Sequence, residues 1–241
     1  MATTGVLLLL AGHPLHSAVL IDGFTTYQNV SVSGPPPGFQ FAFASIAAAN
    51  ALGGERDVYV ERTSANSGTV AVEVAGAGSG IASYNSGIRT TGNGLIVWDG
   101  VDGNAVIAPT GLGGFDLTQN GANTAFRLSR TSDLGGSLKI TVYQDATHVS
   151  EATVAVPADP SFTFALVDVP FLSFIPVGPS GGANFASIGA LSMLFDGGSA
   201  GADMGVELFV AVPEVTAWPV AGLLLGAVVL GALRRRFRAF A

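Results

Sequence analysis

Val70-Ala71-Val72-Glu73-Val74 sets a β-branched valine at every second position, with a small or charged residue between. Successive side chains of a strand point to opposite faces, so this alternation buries one face and wets the other, as in antiparallel sheet. The same period returns at Leu138, Ile140 and Val142 around Lys139 and Thr141, and at Val206, Leu208 and Val210 around Glu207. Further strands are expected at residues 58–62, 95–99, 124–129, 149–156, 162–167 and 188–195. Between them lie Gly53-Gly54, Asp99-Gly100, Asp102-Gly103, Gly113-Gly114, Asn120-Gly121 and Gly135-Gly136, residue pairs that supply the positive φ of tight turns. Strands at intervals of roughly 10–15 residues with such turns predict an all-β fold, an antiparallel, jelly-roll-like β-sandwich over residues 19–211. No segment before residue 212 has a helical period. The Ala-rich stretch at residues 43–52 is read as holding one short helical turn.

Composition narrows the function. The chain has no cysteine, which excludes a disulfide scaffold, a thiolate metal site, an Fe–S cluster and a Cys nucleophile. Four of the ten basic residues are Arg234, Arg235, Arg236 and Arg238; the rest of the chain sets six basic against seventeen acidic side chains, a formal charge of −11. Phosphate binding needs a basic surface, so no nucleic-acid partner is expected for the body.

Both ends read as export signals. Val6 to Gly12 is a short apolar core, and His16-Ser17-Ala18 offers a small residue for cleavage, so residues 1–18 are expected to be a signal peptide. From Val215 to Leu233 there is no charge, and Thr216 is the only polar side chain. That length matches the roughly 20 residues a helix needs to cross a hydrocarbon core. Trp218 stands where an interfacial aromatic would, and the arginine cluster marks the cytoplasmic end. One C-terminal transmembrane helix is therefore expected within residues 212–241, with the body exported.

Val212-Pro213-Glu214, the apolar span and Arg234-Arg235-Arg236 together resemble the PEP-CTERM sorting signal of Gram-negative bacteria. Where that motif has its second Pro, this chain has Val215. The resemblance implies that the chain is a substrate of exosortase: exported, held by its tail, then cleaved near the motif and left at the cell surface or outside the cell. It also implies an association with exopolysaccharide and biofilm. Val19-Leu20-Ile21-Asp22-Gly23-Phe24-Thr25-Thr26, Gly53-Gly54-Glu55-Arg56-Asp57, Trp98-Asp99-Gly100 and Gly113-Gly114-Phe115-Asp116-Leu117 are similar to segments of the β-rich bodies of that family.

The body offers little for catalysis. Of the three histidines, His13 and His16 lie in the signal segment, leaving His148 alone; a Ser-His-Asp triad would have to use it. Glu55, Asp57, Glu61, Glu73 and Glu151 are the carboxylates a glycoside hydrolase would need to pair, and nothing in their spacing selects two. The expectation is a non-enzymatic surface or matrix domain, binding or structural, that engages extracellular polysaccharide or neighbouring proteins, with a secreted glycan hydrolase on a jelly-roll scaffold as the alternative. Trp98, Tyr84, Tyr59 and Tyr143 are the aromatics that could form a binding platform. No cofactor is required. Calcium is the one cofactor the residue types allow, with Asp99, Asp102 and Asn104 offering oxygens in one turn and Asp196 and Asp203 flanking another. Gly76-Ala77-Gly78-Ser79-Gly80 lacks the Lys of a phosphate-binding loop.

Fractionation of cells producing the full chain should place it in the membrane or outside the cell. In cells containing exosortase, the intact mass of the mature form should lack the residues that follow Pro213. A cytosolic pool, or a mature form retaining Arg234 to Arg238, contradicts export and processing respectively.

Overall fold

A computed structural model describes residues 18–34, 40–48, 50–64, 66–75, 78–104 and 106–213. The signal segment at residues 1–17 and the expected span at residues 214–241 lie outside the described residues. Among the described residues fourteen strands follow one another: β1 (Val19–Asp22), β2 (Gln28–Val32), β3 (Gln40–Ala47), β4 (Glu55–Arg62), β5 (Val70–Val74), β6 (Ile81–Ser86), β7 (Gly92–Trp98), β8 (Ala125–Ser132), β9 (Gly136–Tyr143), β10 (Val149–Val156), β11 (Ala165–Pro170), β12 (Ile175–Pro176), β13 (Ala190–Asp196) and β14 (Asp203–Val212). Among the described residues there is no α-helix, and no helix long and apolar enough to cross a membrane.

The strands form two antiparallel seven-stranded sheets. The first runs β11-β8-β14-β6-β5-β2, with β1 also on β14; the second runs β12-β10-β9-β13-β7-β4-β3. Their inner faces close on one core. Val70, Val72 and Val74 of β5, Tyr84 of β6 and Phe126 and Leu128 of β8 meet Val58 and Val60 of β4, Ile96 of β7, Ile140 of β9 and Met193 and Phe195 of β13. Tyr84 stacks near Phe195 with ring centroids 6.4 Å apart, and Trp98 tilts against Phe209 at 5.5 Å. At Gly94 the sheets approach so closely that a Cβ would lie 2.4 Å from Val72 Cγ2, leaving no room for any other residue.

Two sequence expectations fail here for physical reasons. Residues 43–52 are not helical at their start: β3 pairs with β4 from Gln40 to Ala47, and only Leu52–Gly54 forms a 3-10 turn. The helix propensity of alanine is a weak preference that sheet pairing overrides. In β14, Val206, Leu208 and Val210 do not share the core face. A β-bulge at Leu208 (φ 51°) shifts the register between Glu207 and Phe209, and the extra residue inverts the alternation. Met204 and Val206 point into the core before the bulge, Phe209 and Ala211 after it, and Leu208 faces solvent. The bulge also divides one edge of β14 between β6, at Asp203 to Glu207, and β1, at Phe209 to Ala211.

One charged pair is buried between the sheets. Arg56 Nη1 donates to both oxygens of Asp22, at 3.3 and 3.0 Å, with side chains 0% and 2% exposed. Arg56 Nε donates to Gln28 Oε1 at 2.9 Å and Nη2 donates to the Thr26 carbonyl at 2.5 Å. Asp22 also accepts from Trp98 Nε1 at 2.9 Å and the Phe24 amide at 2.7 Å. Replacing Asp22 by Ala strands a buried guanidinium and should cost about 3–5 kcal/mol, measured as a lower urea midpoint. A loss below about 1 kcal/mol would mean water or another group takes over the charge.

Candidate functional site

The outer face of the second sheet carries an apolar row that crosses the strands. Register aligns Phe43 of β3 with Tyr59 of β4, Leu95 of β7, Leu194 of β13 and Lys139 of β9. Phe41, one position along β3 on the same face, stacks on Tyr59 with centroids 5.9 Å apart and planes 23° from parallel. Phe41 is 65% exposed and Phe43 57%. Beside this row runs a polar one, in which Glu61, Asn93, Asp196 and Ser137 are aligned by the same pairings, with Phe41 at its end. Burial and the charge of Glu61 raise the Tyr59 hydroxyl above its ordinary pKa. An exposed apolar strip rimmed by polar groups is a candidate recognition surface.

β3 is the end strand of its sheet. Its Ala44 carbonyl, which faces β4 in the ladder, accepts from Gln28 Nε2 at 2.8 Å, and the Arg56 carbonyl accepts from the same nitrogen at 3.4 Å.

Next to the row on the same face, Ser45 of β3, Asp57 of β4 and Val97 of β7 align. Carboxylate oxygens of Glu55, Asp57 and Asp102 lie within 4.8 Å of one another. Glu55 Oε1 accepts from the amides of Asp102 and Gly103 at 3.1 and 2.7 Å, drawing the loop after β7 over the start of β4. Asp99 Oδ2 accepts from the Ala108 amide at 2.6 Å. Burial pushes Asp57 up to about 7, helped by the charges of Asp99 and Glu55, and burial likewise raises Asp99.

The structure distributes the residues singled out in the sequence unevenly. Trp98 and Tyr84 are buried and form no platform; Tyr59 stacks on the exposed Phe41 beside Phe43. The sequence reading takes Phe43 as the start of an Ala-rich turn and does not single out Phe41. Tyr143 is half-buried on the outer face, and burial raises its hydroxyl. Asp102 meets Glu55 and Asp57, whereas Asn104 turns away and caps the Val106 amide. Asp196 caps the Gly198 amide, and Asp203 lies against Asp133, with burial and that charge raising its carboxyl. His148 and Asp145 close a surface turn through a 2.9 Å contact. Val212 ends β14 buried and paired with Ala125, and Pro213 follows it exposed. Glu214, Arg234, Arg235, Arg236 and Arg238 lie outside the described residues.

Three cavities on the described residues each border at most one of the carboxylates a hydrolase would need. Glu151 is tied to Lys139 at 3.1 Å and borders a cavity of about 370 Å³ with Thr153 and Ile175. Glu73 borders another of about 420 Å³ with Phe162 and Phe164. A third, of about 470 Å³, is lined by Phe171, Leu172, Phe185 and Asn123 without a carboxylate. Glu55 and Asp57 do meet, but they are 6% and 1% exposed.

The fold is similar to solved structures of low identity. One is the family 11 carbohydrate-binding module of the cellulosomal cellulase Lic26A-Cel5E of Clostridium thermocellum, with a TM-score of 0.42, 10% identity and coverage of 82% of this chain and 95% of that chain. Another is a family 29 carbohydrate-binding module, with a TM-score of 0.32, 11% identity and coverage of 77% and 88%. Likeness at this level transfers neither residues nor ligand. No family model and no curated protein matches the sequence.

Because the aromatic row stands on the surface, Phe43→Ser should lower stability by less than about 1 kcal/mol, whereas Trp98→Ala should cost about 3–5 kcal/mol. Similar denaturant midpoints for the two variants would show that the row is covered.

Proposed function

We propose that this chain is a non-catalytic, exported glycan-binding domain that grips polysaccharide on the outer face of its second sheet. The observation that carries the reading is the stacked Phe41–Tyr59 pair, continued through Phe43, Leu95 and Leu194 and edged by Glu61 and Asn93. Aromatic faces suit the apolar faces of sugar rings, and the neighbouring carboxylate and amide suit their hydroxyls. A row across several strands fits an extended polymer better than a compact ligand. The acidic body favours a neutral glycan over a polyanionic one, since like charges raise the cost of approach. Hydrolysis would need two carboxylates flanking a bound sugar, and the pair that meets, Glu55 and Asp57, is buried.

In this reading the C-terminal segment delivers the domain. Val212-Pro213-Glu214, the apolar span and the arginines hold it in the membrane for exosortase, and the processed domain then acts at the cell surface or in the extracellular matrix. The resemblance of the tail and the charge asymmetry of the chain support this part.

Affinity electrophoresis in hydroxyethylcellulose, galactomannan and alginate tests the binding face. Retardation is expected in a neutral polymer and not in alginate. Phe41→Ala and Tyr59→Ala should each weaken binding roughly tenfold, about 1.4 kcal/mol. Full binding by the double variant would remove this face from the reading.

A further inference from the structure

Four carboxylates meet at one end of the second sheet, and two of them, Asp57 and Asp99, are each 1% exposed. Neither oxygen of Asp57, nor Oδ1 of Asp99, makes a hydrogen bond of good geometry among the described residues, although Ser45 and Asp99 lie close enough to Asp57 to shift its titration; Asp99 Oδ2 accepts from the Ala108 amide. Ser45 Oγ, on the residue opposite Asp57 in β3, is a fourth buried oxygen without such a bond. Among the described residues, every ion pair lies elsewhere: Asp22 with Arg56, Asp168 with Arg127, Glu151 with Lys139 and Asp145 with His148. Arg56, the cation closest in sequence, points to the opposite face of β4 and is fully engaged there.

A buried carboxylate either takes up a proton or meets a counter-charge, and a cation bound among these oxygens would supply the second. We infer that Glu55, Asp57 and Asp102, with Asp99 beside them, form a calcium site that fastens the loop after β7 to the start of β4. The donors are all oxygen, with no His or Cys, which selects hard cations over zinc. Several carboxylates on two backbone segments suit the six to eight ligands and loose geometry of calcium better than the rigid octahedron of magnesium. The loop is already shaped for this. At Gly53 a Cβ would come 2.9 Å from Gly100 Cα, and at Gly111 it would come 1.8 Å from the Asp99 carbonyl oxygen. Only glycines let these segments close around the acids.

The site stands apart from the aromatic row but shares its strand. Asp57 and Tyr59 are two residues apart on one face of β4, so a cation at Asp57 would stiffen the end of the row.

The test uses the full chain in detergent, freed of metal with EDTA and dialysed. Titration calorimetry with calcium chloride alone should show one ion per chain. The unfolding temperature should rise by roughly 5–10 °C at calcium a hundredfold above the dissociation constant. Asp57→Asn and Asp102→Asn should abolish both responses. Asp57→Asn should also melt no lower than the metal-free parent, because it removes an unpaired buried charge. Absence of heat and of a thermal shift in a parent that shows native near-ultraviolet dichroism would overturn the site. So would calcium binding that survives both substitutions, or a response to magnesium without one to calcium.

Discussion

The buried contact between Arg56 and Asp22 is the constraint around which the sandwich closes. Asp22 ends β1 in the first sheet and Arg56 belongs to β4 in the second, so the pair is a tie between layers. A buried ion pair is costly unless its remaining donors and acceptors are also satisfied. Here they are taken up by Gln28, Thr26, Trp98 and the Phe24 amide. Hydrophobic burial would let the sheets slide past each other at little cost. This network accepts one register, because a shift would leave a guanidinium without acceptors.

The same tie decides what the outside of β4 presents. With Arg56 turned inward, Glu55 and Asp57 must turn outward, since successive residues of a strand face opposite ways. Val58 and Val60 then fill the core, while Tyr59 and Glu61 face out. The acidic cluster and the aromatic row are thus two consequences of one inward-facing arginine. The dense charge of the segment from Glu55 to Asp57 is tolerable because it is split between two environments. One is a neutralised interior, and the other is an edge where the loop from Asp99 to Asn104 supplies backbone donors.

Much of this was legible in the sequence where local pattern and tertiary role agree. Val70–Val74 and Val149–Val156 alternate over the span that pairs, because each is a regular strand with one face in the core. The failures have separate causes. The bulge at Leu208 cannot be seen in an alternation of apolar residues that continues unbroken through it. Phe41 and Phe43 also alternate at period two, but the alanines that follow Phe43 suggested a turn, and both phenylalanine side chains face outward. A pattern rule assigns apolar residues to the core, so it fails where apolar side chains face solvent. Three segments noted for their likeness to a family of β-rich bodies converge in space. They contribute Asp22, then Glu55, Arg56 and Asp57, then Trp98 and Asp99, which together make up the interlayer tie and most of the acidic cluster. Linear sequence could mark those segments without showing that they meet.

An end strand bearing two exposed phenylalanines is a hazard that folded domains usually suppress with charge, proline or a bulge. β3 carries no charged residue of its own and is anchored by its neighbours. Gln28 binds its Ala44 carbonyl from the first sheet, and Tyr59 covers one face of Phe41. Gln28 is itself fixed by Arg56, so the buried tie reaches the edge through one side chain. The arrangement ties the end strand to the buried interlayer network while leaving the aromatic faces open.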